Sequence, residues 1–486
     1  MSPHGPRLPS VEGRAPRVAL LVYNHAHADS RVIKTAESLR AAGAQVRIFA
    51  VARAGYPEGP GVVGDGIEVC RAREFALARQ APWLLDLARR VTGRQPPAAV
   101  PQPPAAAPQP PEALPQAPGT PAPTDHAPAA SAPAAGERHT PAAPGAAPSE
   151  PPQPPLPEPL FDLWLRTWRT ASLGLYWWDA ARDAVDFDPD VVHANDGNTL
   201  APSWWIAQRT GARLVYDAHE LWRHRNVRQD RPVAPHVEAL IESTVVRQAA
   251  GVITVSPSIV AWLQKTYDLP ETPTLVRNVP RPAVGGAPGR EQGRLRALAG
   301  LGPEQQVIAY GGRITTSRGI EETLEAMTHL SDRVHLVLLG YGEAGYLAAL
   351  RRRITDLGLD ARVHFVGAVA PPEVSTALAD ADVSVVYVRP ICLSYRYSLP
   401  NKLFESIHAG IPVVAADLPD TAELVRELGV GEIFSAQSPA DLAATIEQVL
   451  ADPTPYAAAA RATAHGLTWT AEEERLLGLY ARVLRG

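Results

Sequence analysis

Short apolar runs alternate with helix-period segments along most of this chain. Residues 18–23 (Val-Ala-Leu-Leu-Val-Tyr, after a basic residue) read as a buried strand. Across 31–42, Val32, Ile33, Ala36 and Leu39 share one helical face, Asp29 or Ser30 can cap the start, and Gly43 can stop the end. A second apolar run, 46–51, completes a βαβ unit that opens a doubly wound sheet. Runs at 191–193, 214–216 and 252–255 continue this first series. A second series begins at 307–310 and continues at 334–339, 362–367, 383–388 and 411–416. Near-continuous apolar strands of this kind belong to parallel sheets covered on both faces. The pattern predicts an α/β protein of two doubly wound domains, 17–280 and 281–468, joined where residues 275–280 pass between them. A last helix near 470–484 carries Leu476, Leu477, Tyr480 and Val483 on one face.

Two stretches break the pattern. Residues 95–160 are dominated by Pro and Ala, so they lack the bulky apolar side chains needed to offset ordering entropy. They are expected to form a disordered, polyproline-II-rich insertion in the first domain, an inert linker by default. Residues 1–16 are Pro-, Gly- and Arg-rich, lack a hydrophobic signal core, and are expected to be flexible. After the insertion, Phe161, Trp164, Trp168, Leu175 and Trp178 fall along one helical stripe, with Arg166, Arg169 and Arg182 elsewhere. Such a stripe either packs on a core or lies in a membrane interface. No apolar run is long enough to span a bilayer, so no transmembrane helix is expected. The net charge of −5 excludes a polycation that binds nucleic acid in bulk. Cys70 and Cys392 lie far apart, which suits a reducing cytosol and excludes a disulfide framework.

Ligands of doubly wound sheets bind beyond the carboxyl ends of the strands, so the exit loops carry the candidate chemistry. In the first domain these loops hold His25, His27 and Asp29, then Asn195 and Asp196, then Asp217, His219 and Glu220. His25 and His27 are either metal ligands or cleft-lining loop residues; no carboxylate cluster accompanies them, so no metal is expected. Asp217, His219 and Glu220 crowd one strand end, either as a functional cluster or as a polar loop that stabilises its own turn. In the second domain Gly311-Gly312-Arg313 and Arg318-Gly319 follow a strand. Two cations beside a diphosphate neutralise it without a metal, and the glycines let the backbone approach. The stretch 397–414 reads as loop, helix, turn and buried strand. Pro400 suits the first turn, Gly410 the stop, and Leu403, Phe404 and Ile407 the inward face. Asn401, Glu405 and His408 share another face. The start of that helix, with Ser398, Asn401 and Lys402, suits an anion. A carboxylate at Glu405, one turn in, can accept from two adjacent sugar hydroxyls. Together these residues describe half of a sugar-nucleotide site.

The stretch resembles the signature of the retaining family 4 glycosyltransferases of the GT-B fold: Glu, seven residues, Glu, a helix, then a small residue and Gly-x-Pro-Val-Val. Glu405 falls on the second Glu, Ala409-Gly-Ile-Pro-Val-Val414 matches the remainder, and Tyr397 stands where the first Glu is usual. Arg313 and Arg318 fit the family's Gly-Arg and Lys/Arg-Gly pattern, with Arg318 where Lys is usual. Tyr216-Asp-Ala-His-Glu220 resembles the strand end of one branch. The resemblance implies two Rossmann-like domains facing across a cleft, the first for the acceptor and the second for the donor, with a terminal helix (469–486) returning to the first. It implies His219 beside the donor sugar and Glu220 near the acceptor. Arg313 and Arg318 would meet the diphosphate, Glu405 the ribose, and the backbone near Gly367 the nucleobase. Tyr397 would offer its hydroxyl to the transferred sugar. The implied activity is retaining transfer from a nucleoside-diphosphate sugar to an acceptor hydroxyl in glycan, glycolipid or cell-envelope polysaccharide synthesis. Neither cofactor nor metal is implied. The implied place is the cytoplasm, at the inner face of the plasma membrane if the aromatic stripe is interfacial and the acceptor lipid-linked. Two other readings stay open: a nucleotide-sugar epimerase of the same fold, with Glu220 and Asp196 as its carboxylates, and a nucleotide-sugar-binding subunit without turnover.

Deleting residues 97–158 is expected to leave the melting temperature, and turnover on a soluble acceptor, unchanged. A large loss of either would show the insertion to be structured or catalytic.

Overall fold

β1 (Arg17–Leu21) is buried from Val18 onward, as befits a strand covered on both faces. It lies in the middle of an eight-stranded sheet of order β3-β4-β2-β1-β5-β6-β7-β8. Its companions are β2 (Gln45–Val51), β3 (Gly59–Val63), β4 (Ile67–Ala72), β5 (Val191–Asn195), β6 (Arg213–Ala218), β7 (Gly251–Thr254) and β8 (Thr274–Leu275). All neighbours pair in parallel except β3 and β4, an antiparallel hairpin at the edge. The second sheet is six-stranded and parallel throughout, in the order β11-β10-β9-β12-β13-β14. It comprises β9 (Gln306–Gly311), β10 (Val334–Leu339), β11 (Val363–Gly367), β12 (Val383–Val386), β13 (Val413–Ala416) and β14 (Gly431–Phe434). These features belong to a computed structural model that describes residues 7–27, 29–75, 158–226, 234–281, 287–435 and 438–485, with side chains after the insertion from 166 onward. The two doubly wound domains anticipated from the apolar pattern are therefore the observed architecture.

Local chemistry starts the helices that matter most. The Asp29 carboxylate accepts from the Val32 N–H and begins the helix Ser30–Ala41. Ser256 accepts from the Ile259 N–H, and Pro257 fills the first helical position of Pro257–Tyr267. The terminal helix, Trp469–Val483, lays its apolar face on the first domain. Its Tyr480 is fully buried, and its hydroxyl meets His193 Nδ1 at 2.7 Å. Trp469 Nε1–H donates to Ser38 Oγ at 2.9 Å, and the Trp469 N–H donates to the Pro280 carbonyl at 3.0 Å. The Glu472 carboxylate accepts from Arg277 Nε at 2.8 Å and fixes the segment that joins the domains.

Several expectations need correction. Residues 7–16 are anchored: the Leu8 N–H donates to the Ala42 carbonyl at 2.9 Å, and Arg14 grips Asp190 through Nη1 at 2.6 Å and Nη2 at 3.0 Å. Residues 1–6 lie outside the described residues, as do 95–157 of the expected insertion. Residues 158–160 already belong to the helix Glu158–Phe187. The buried face of that helix runs through Tyr176, Ala180, Ala184 and Phe187, while Trp178 is 70% exposed. Of the aromatic stripe, the side chains of Phe161 and Trp164 lie outside the described residues, and Trp178 is off the core face, where small alanines set the close approach to the sheet. The hairpin of β3 and β4 was not foreseen, although Gly64-Asp-Gly66 between its strands is a turn signal.

Replacing Tyr480 by Ala is expected to lower unfolding free energy by about 3–5 kcal/mol, the usual cost of truncating a buried aromatic. Denaturant titration followed by tryptophan fluorescence would measure it, and a change below about 1 kcal/mol would contradict this role for the terminal helix.

Candidate functional site

The exits of β1, β5 and β6 converge on one buried carboxylate. Asp217 lies within β6, not in the loop after it, because pairing with β5 and β7 continues through Ala218. Its side chain is fully buried and receives both arms of Arg31, Nε and Nη2 each at 3.0 Å. Arg31 stands in the first turn of Ser30–Ala41 and also donates through Nη1 to the Val276 carbonyl at 2.5 Å. His193 Nε2 and His219 Nε2 lie 3.6 and 3.4 Å from the same carboxylate. Burial alone would raise the Asp217 pKa, but Arg31 and then His219 hold it well below the ordinary value.

His219 sits between two carboxylates. Its Nδ1 is 3.4 Å from Asp196, which also accepts from the His219 backbone N–H at 3.1 Å. Burial opposes its charge, yet Asp196 and Asp217 together raise its pKa well above the usual 6.5. Asp196 itself adopts φ 61°, ψ 165°, a region almost reserved for glycine and costing about 1–3 kcal/mol. Next to it, a Cβ on Gly197 would come within 1.9 Å of the Trp222 ring, so only glycine fits there. Glu220 is half-buried; burial and the nearby Asp196 push its carboxyl up to about 7, against Arg225, His219 and Arg318. Arg318 comes from the second domain, so Glu220 and Arg318 share one electrostatic environment.

The second domain supplies the facing half. Glu405 lies half-buried on the helix Asn401–His408, and a Cβ on Gly311 would sit 3.9 Å from its Oε2. Burial raises its pKa to about 7 against the pull of Lys402 and Lys34. Lys402 forms no ion pair with Glu405: its Nζ donates to the Tyr387 carbonyl at 3.3 Å and lies 4.2 Å from the Tyr310 ring centroid. Burial, then Arg318, lowers its pKa to about 7. Arg313 is exposed, and Arg318 stacks on Tyr395 with its guanidinium carbon 5.0 Å from the ring centroid. Gly312 and Gly367 have φ of 116° and 79° with open space where a side chain would stand, so both leave backbone accessible.

Other sequence candidates are occupied differently. The Ser398 N–H already donates to the Tyr395 carbonyl at 3.3 Å, leaving the N–H groups of Asn401 and Lys402 as the free first-turn donors. The Tyr397 ring packs against the first domain's apolar cluster, and its carbonyl accepts from Ser256 Oγ at 2.6 Å. His408 turns away from Glu405 and bonds the Leu467 carbonyl at 2.6 Å. Asn195 is buried, donating through Nδ2 to the Leu21 carbonyl at 2.9 Å. Asp29 is held in its cap and by Asn24 Nδ2 at 2.8 Å. His25 and His27 both lean on Tyr56, and no metal-binding cluster of three or more ligands exists among the described residues. Arg31, Lys34 and His193 were not singled out from sequence. Lys34 is buried, bonds Asn278 Oδ1 at 2.8 Å and the Val279 carbonyl at 2.6 Å, and has its pKa lowered to about 7, chiefly by burial. A basic i, i+3 pair on an otherwise inward helix face was the available signal.

Residues 305–452 match the family model described as glycosyl transferases group 1, and residues 119–280 match the glycosyl transferase 4-like domain. The D-inositol 3-phosphate glycosyltransferase of Thermobispora bispora is 27% identical over 318 residues, 61% of this chain and 71% of that protein. The 2-deoxystreptamine glucosyltransferase of Streptomyces kanamyceticus is 27% identical over 249 residues, 50% of this chain and 61% of that protein. Among solved structures, sucrose-phosphate synthase from Thermosynechococcus elongatus superposes with a TM-score of 0.64 at 16% identity, covering 96% of this chain and 98% of that one. Anabaena HepE in complex with UDP-glucose superposes with a TM-score of 0.59 at 15% identity, covering 95% and 98%. These likenesses show the fold.

Asp217→Asn leaves Arg31 buried without its anion and is expected to cost about 3–5 kcal/mol of stability. The ion pairs of His219 are fully present below its unfolded pKa of 6.5 and are lost as pH rises through its raised folded value. In the variant, NMR titration should show the His219 pKa moving down; an unchanged value would contradict the arrangement.

Proposed function

The chain belongs to the group 1 glycosyltransferases, and on that premise we propose that it transfers a sugar from a nucleoside-diphosphate donor to an acceptor hydroxyl with retention of configuration. The observation that carries this reading is the convergence of Glu405, Lys402 and Arg318 of one domain with His219, Glu220 and Lys34 of the other. Glu405 accepts from the ribose hydroxyls; donor binding draws it into its ionised form, since its pKa near 7 leaves it part-protonated. Arg313, Arg318 and the N–H groups of Asn401 and Lys402 take the diphosphate, and the backbone at Gly312 and Gly367 lines the nucleotide. As the C1–O bond to the diphosphate breaks, negative charge grows on the leaving oxygens. The arginines and the positive His219 stabilise it, an effect of roughly 10²–10³ in rate for one such donor. The acceptor oxygen attacks from the same face, and its proton passes to the departing phosphate. No metal is needed when cations of the chain neutralise the diphosphate.

The acceptor belongs to glycan, glycolipid or envelope polysaccharide synthesis in this reading, and the reaction takes place in the cytoplasm. Trp178, 70% exposed beside Arg182, and Trp205, 44% exposed with Arg209 over its ring at 5.9 Å, support contact with the inner face of a membrane. No described helix is long and apolar enough to cross one. An epimerase reading has Glu220, with its raised pKa, as a candidate acid or base. An isomerised donor without transfer would favour it, and binding without turnover would favour a non-catalytic subunit.

Calorimetric titration with UDP, GDP, ADP, CMP and dTDP, without metal, tests the donor site. One nucleoside diphosphate should bind selectively in the micromolar range. Glu405→Gln and Arg313→Ala are each expected to weaken it about 10- to 100-fold, the cost of one charge-assisted contact, with the fold intact. Unchanged affinity in Glu405→Gln would remove the ribose assignment, and no binding by any nucleotide would remove the transferase reading.

A further inference from the structure

The cations of the second domain are held in two ways. Arg290 and Arg296 share the Asp382 carboxylate, Arg353 takes Glu325, and Arg389 takes Glu322. Arg318 and Lys402 have no carboxylate at ion-pair distance among the described residues and lie over tyrosine rings instead. The Arg318 guanidinium carbon is 5.0 Å from the Tyr395 ring centroid, and Lys402 Nζ is 4.2 Å from that of Tyr310. Lys402 also has the Tyr387 carbonyl. Arg318 is half-buried, and its guanidinium donates no hydrogen bond among the described residues, so the ring is what holds it. The half-buried Glu220 of the first domain feels its charge from beyond ion-pair distance.

Tyr395 is itself braced from both domains. Its ring packs against the apolar cluster of the second domain, and its carbonyl accepts from the Ser398 N–H at 3.3 Å and from Ser398 Oγ at 2.8 Å. Its neighbours on the short helix Leu393–Arg396 reach the first domain: Ser394 Oγ accepts from the Leu221 N–H at 3.3 Å, and Leu393 packs on the cluster that holds Leu221. The ring is therefore a fixed support under a long, otherwise untethered side chain. A ring face attracts a cation without accepting its N–H groups or cancelling its charge. A carboxylate would do both, and would compete with incoming phosphate oxygens. The N–H groups of a guanidinium all lie in one plane, so a ring at its face leaves the edge to bind paired oxygens.

We infer that Tyr395 is a positioning residue for the transfer: its ring holds Arg318 in the cleft with the guanidinium N–H groups free for the diphosphate of the donor, where a resident carboxylate would take them. The inference rests on the transferase reading and adds to it the group that sets the orientation of one diphosphate cation. Tyr395 does not touch the donor; it acts through Arg318.

Calorimetric titration of the full-length protein with UDP and with inorganic pyrophosphate, without metal, tests this. Pyrophosphate reads the anion contacts whatever base the protein prefers. Tyr395→Leu should weaken both ligands about 2- to 30-fold, the worth of one cation–ring contact. Tyr395→Phe keeps the ring face and should bind as the unaltered protein does. In an Arg318→Gln background, adding Tyr395→Leu should change nothing more, because the ring acts only through Arg318; a merely structural loss would add to the first. Tyr395→Met, unbranched and adaptable in packing, replaces Tyr395→Leu if the latter does not fold. Unchanged affinity in Tyr395→Leu, a loss in Tyr395→Phe, or a further loss in the double variant overturns the proposal. Pyrophosphate binding without UDP binding means that the donor carries another base, and it still scores Tyr395. If the unaltered protein binds neither, the donor reading falls and this inference with it, an outcome distinct from binding that ignores Tyr395.

Discussion

The buried ion pair between Arg31 and Asp217 is the contact on which the first domain's site depends. It joins a helix near the start of the chain to a strand 186 residues later. Such a pair offsets its desolvation only with good geometry and with its remaining hydrogen-bonding capacity used. The geometry is met: the guanidinium is bidentate, its other arm reaches the Val276 carbonyl, and the rings of His193 and His219 stand 3.6 and 3.4 Å from the carboxylate. Against burial, Asp196 and then Asp217 hold the His219 pKa well above its usual value. Because Arg31 reaches Val276, the same pair anchors the passage into the second domain.

The two domains meet through short polar contacts beside shared apolar packing. Ser256 Oγ donates to the Tyr397 carbonyl at 2.6 Å, Ser258 Oγ to Asp420 at 2.7 Å, and the Leu221 N–H to Ser394 Oγ at 3.3 Å. The bonds of Tyr397 and Ser394 fasten the loop before the signature helix, and that of Asp420 the helix Pro419–Leu428, to segments that follow β6 and β7. The terminal helix adds a second fastening through Tyr480 and Trp469.

Within the cleft, burial has brought Lys34, Lys402, Glu220 and Glu405 all to pKa values of about 7. Desolvation disfavours their charged forms, and none has a counter-charge at ion-pair distance among the described residues. A diphosphate would restore the lysines to full charge, and ribose hydroxyls would favour the Glu405 carboxylate. Groups left so near neutrality are a common mark of functional sites.

Much of this was legible along the chain. Apolar runs bounded by caps and glycines located the strands at the centres of both sheets. Pro400, Glu405 and Gly410 located the signature helix, since helix start, period and stop are local properties. What sequence could not decide was which distant residues meet. Asp217 was read as a loop residue because strand length depends on neighbouring strands. Lys402 was read as an anion-binding group at the helix start, although Tyr310 and Tyr387 from other elements draw the lysine aside. Ser398 was read as an anion donor, although its N–H is spent on Tyr395. Arg31 and Arg71 looked alike as basic residues in apolar elements; only the tertiary structure distinguished one that has its carboxylate from one without a carboxylate partner among the described residues. Sequence determined the elements and their order because propensity and period act over a few residues. Tertiary structure decided charge states and partners, because burial and electrostatics act between segments that the chain keeps far apart.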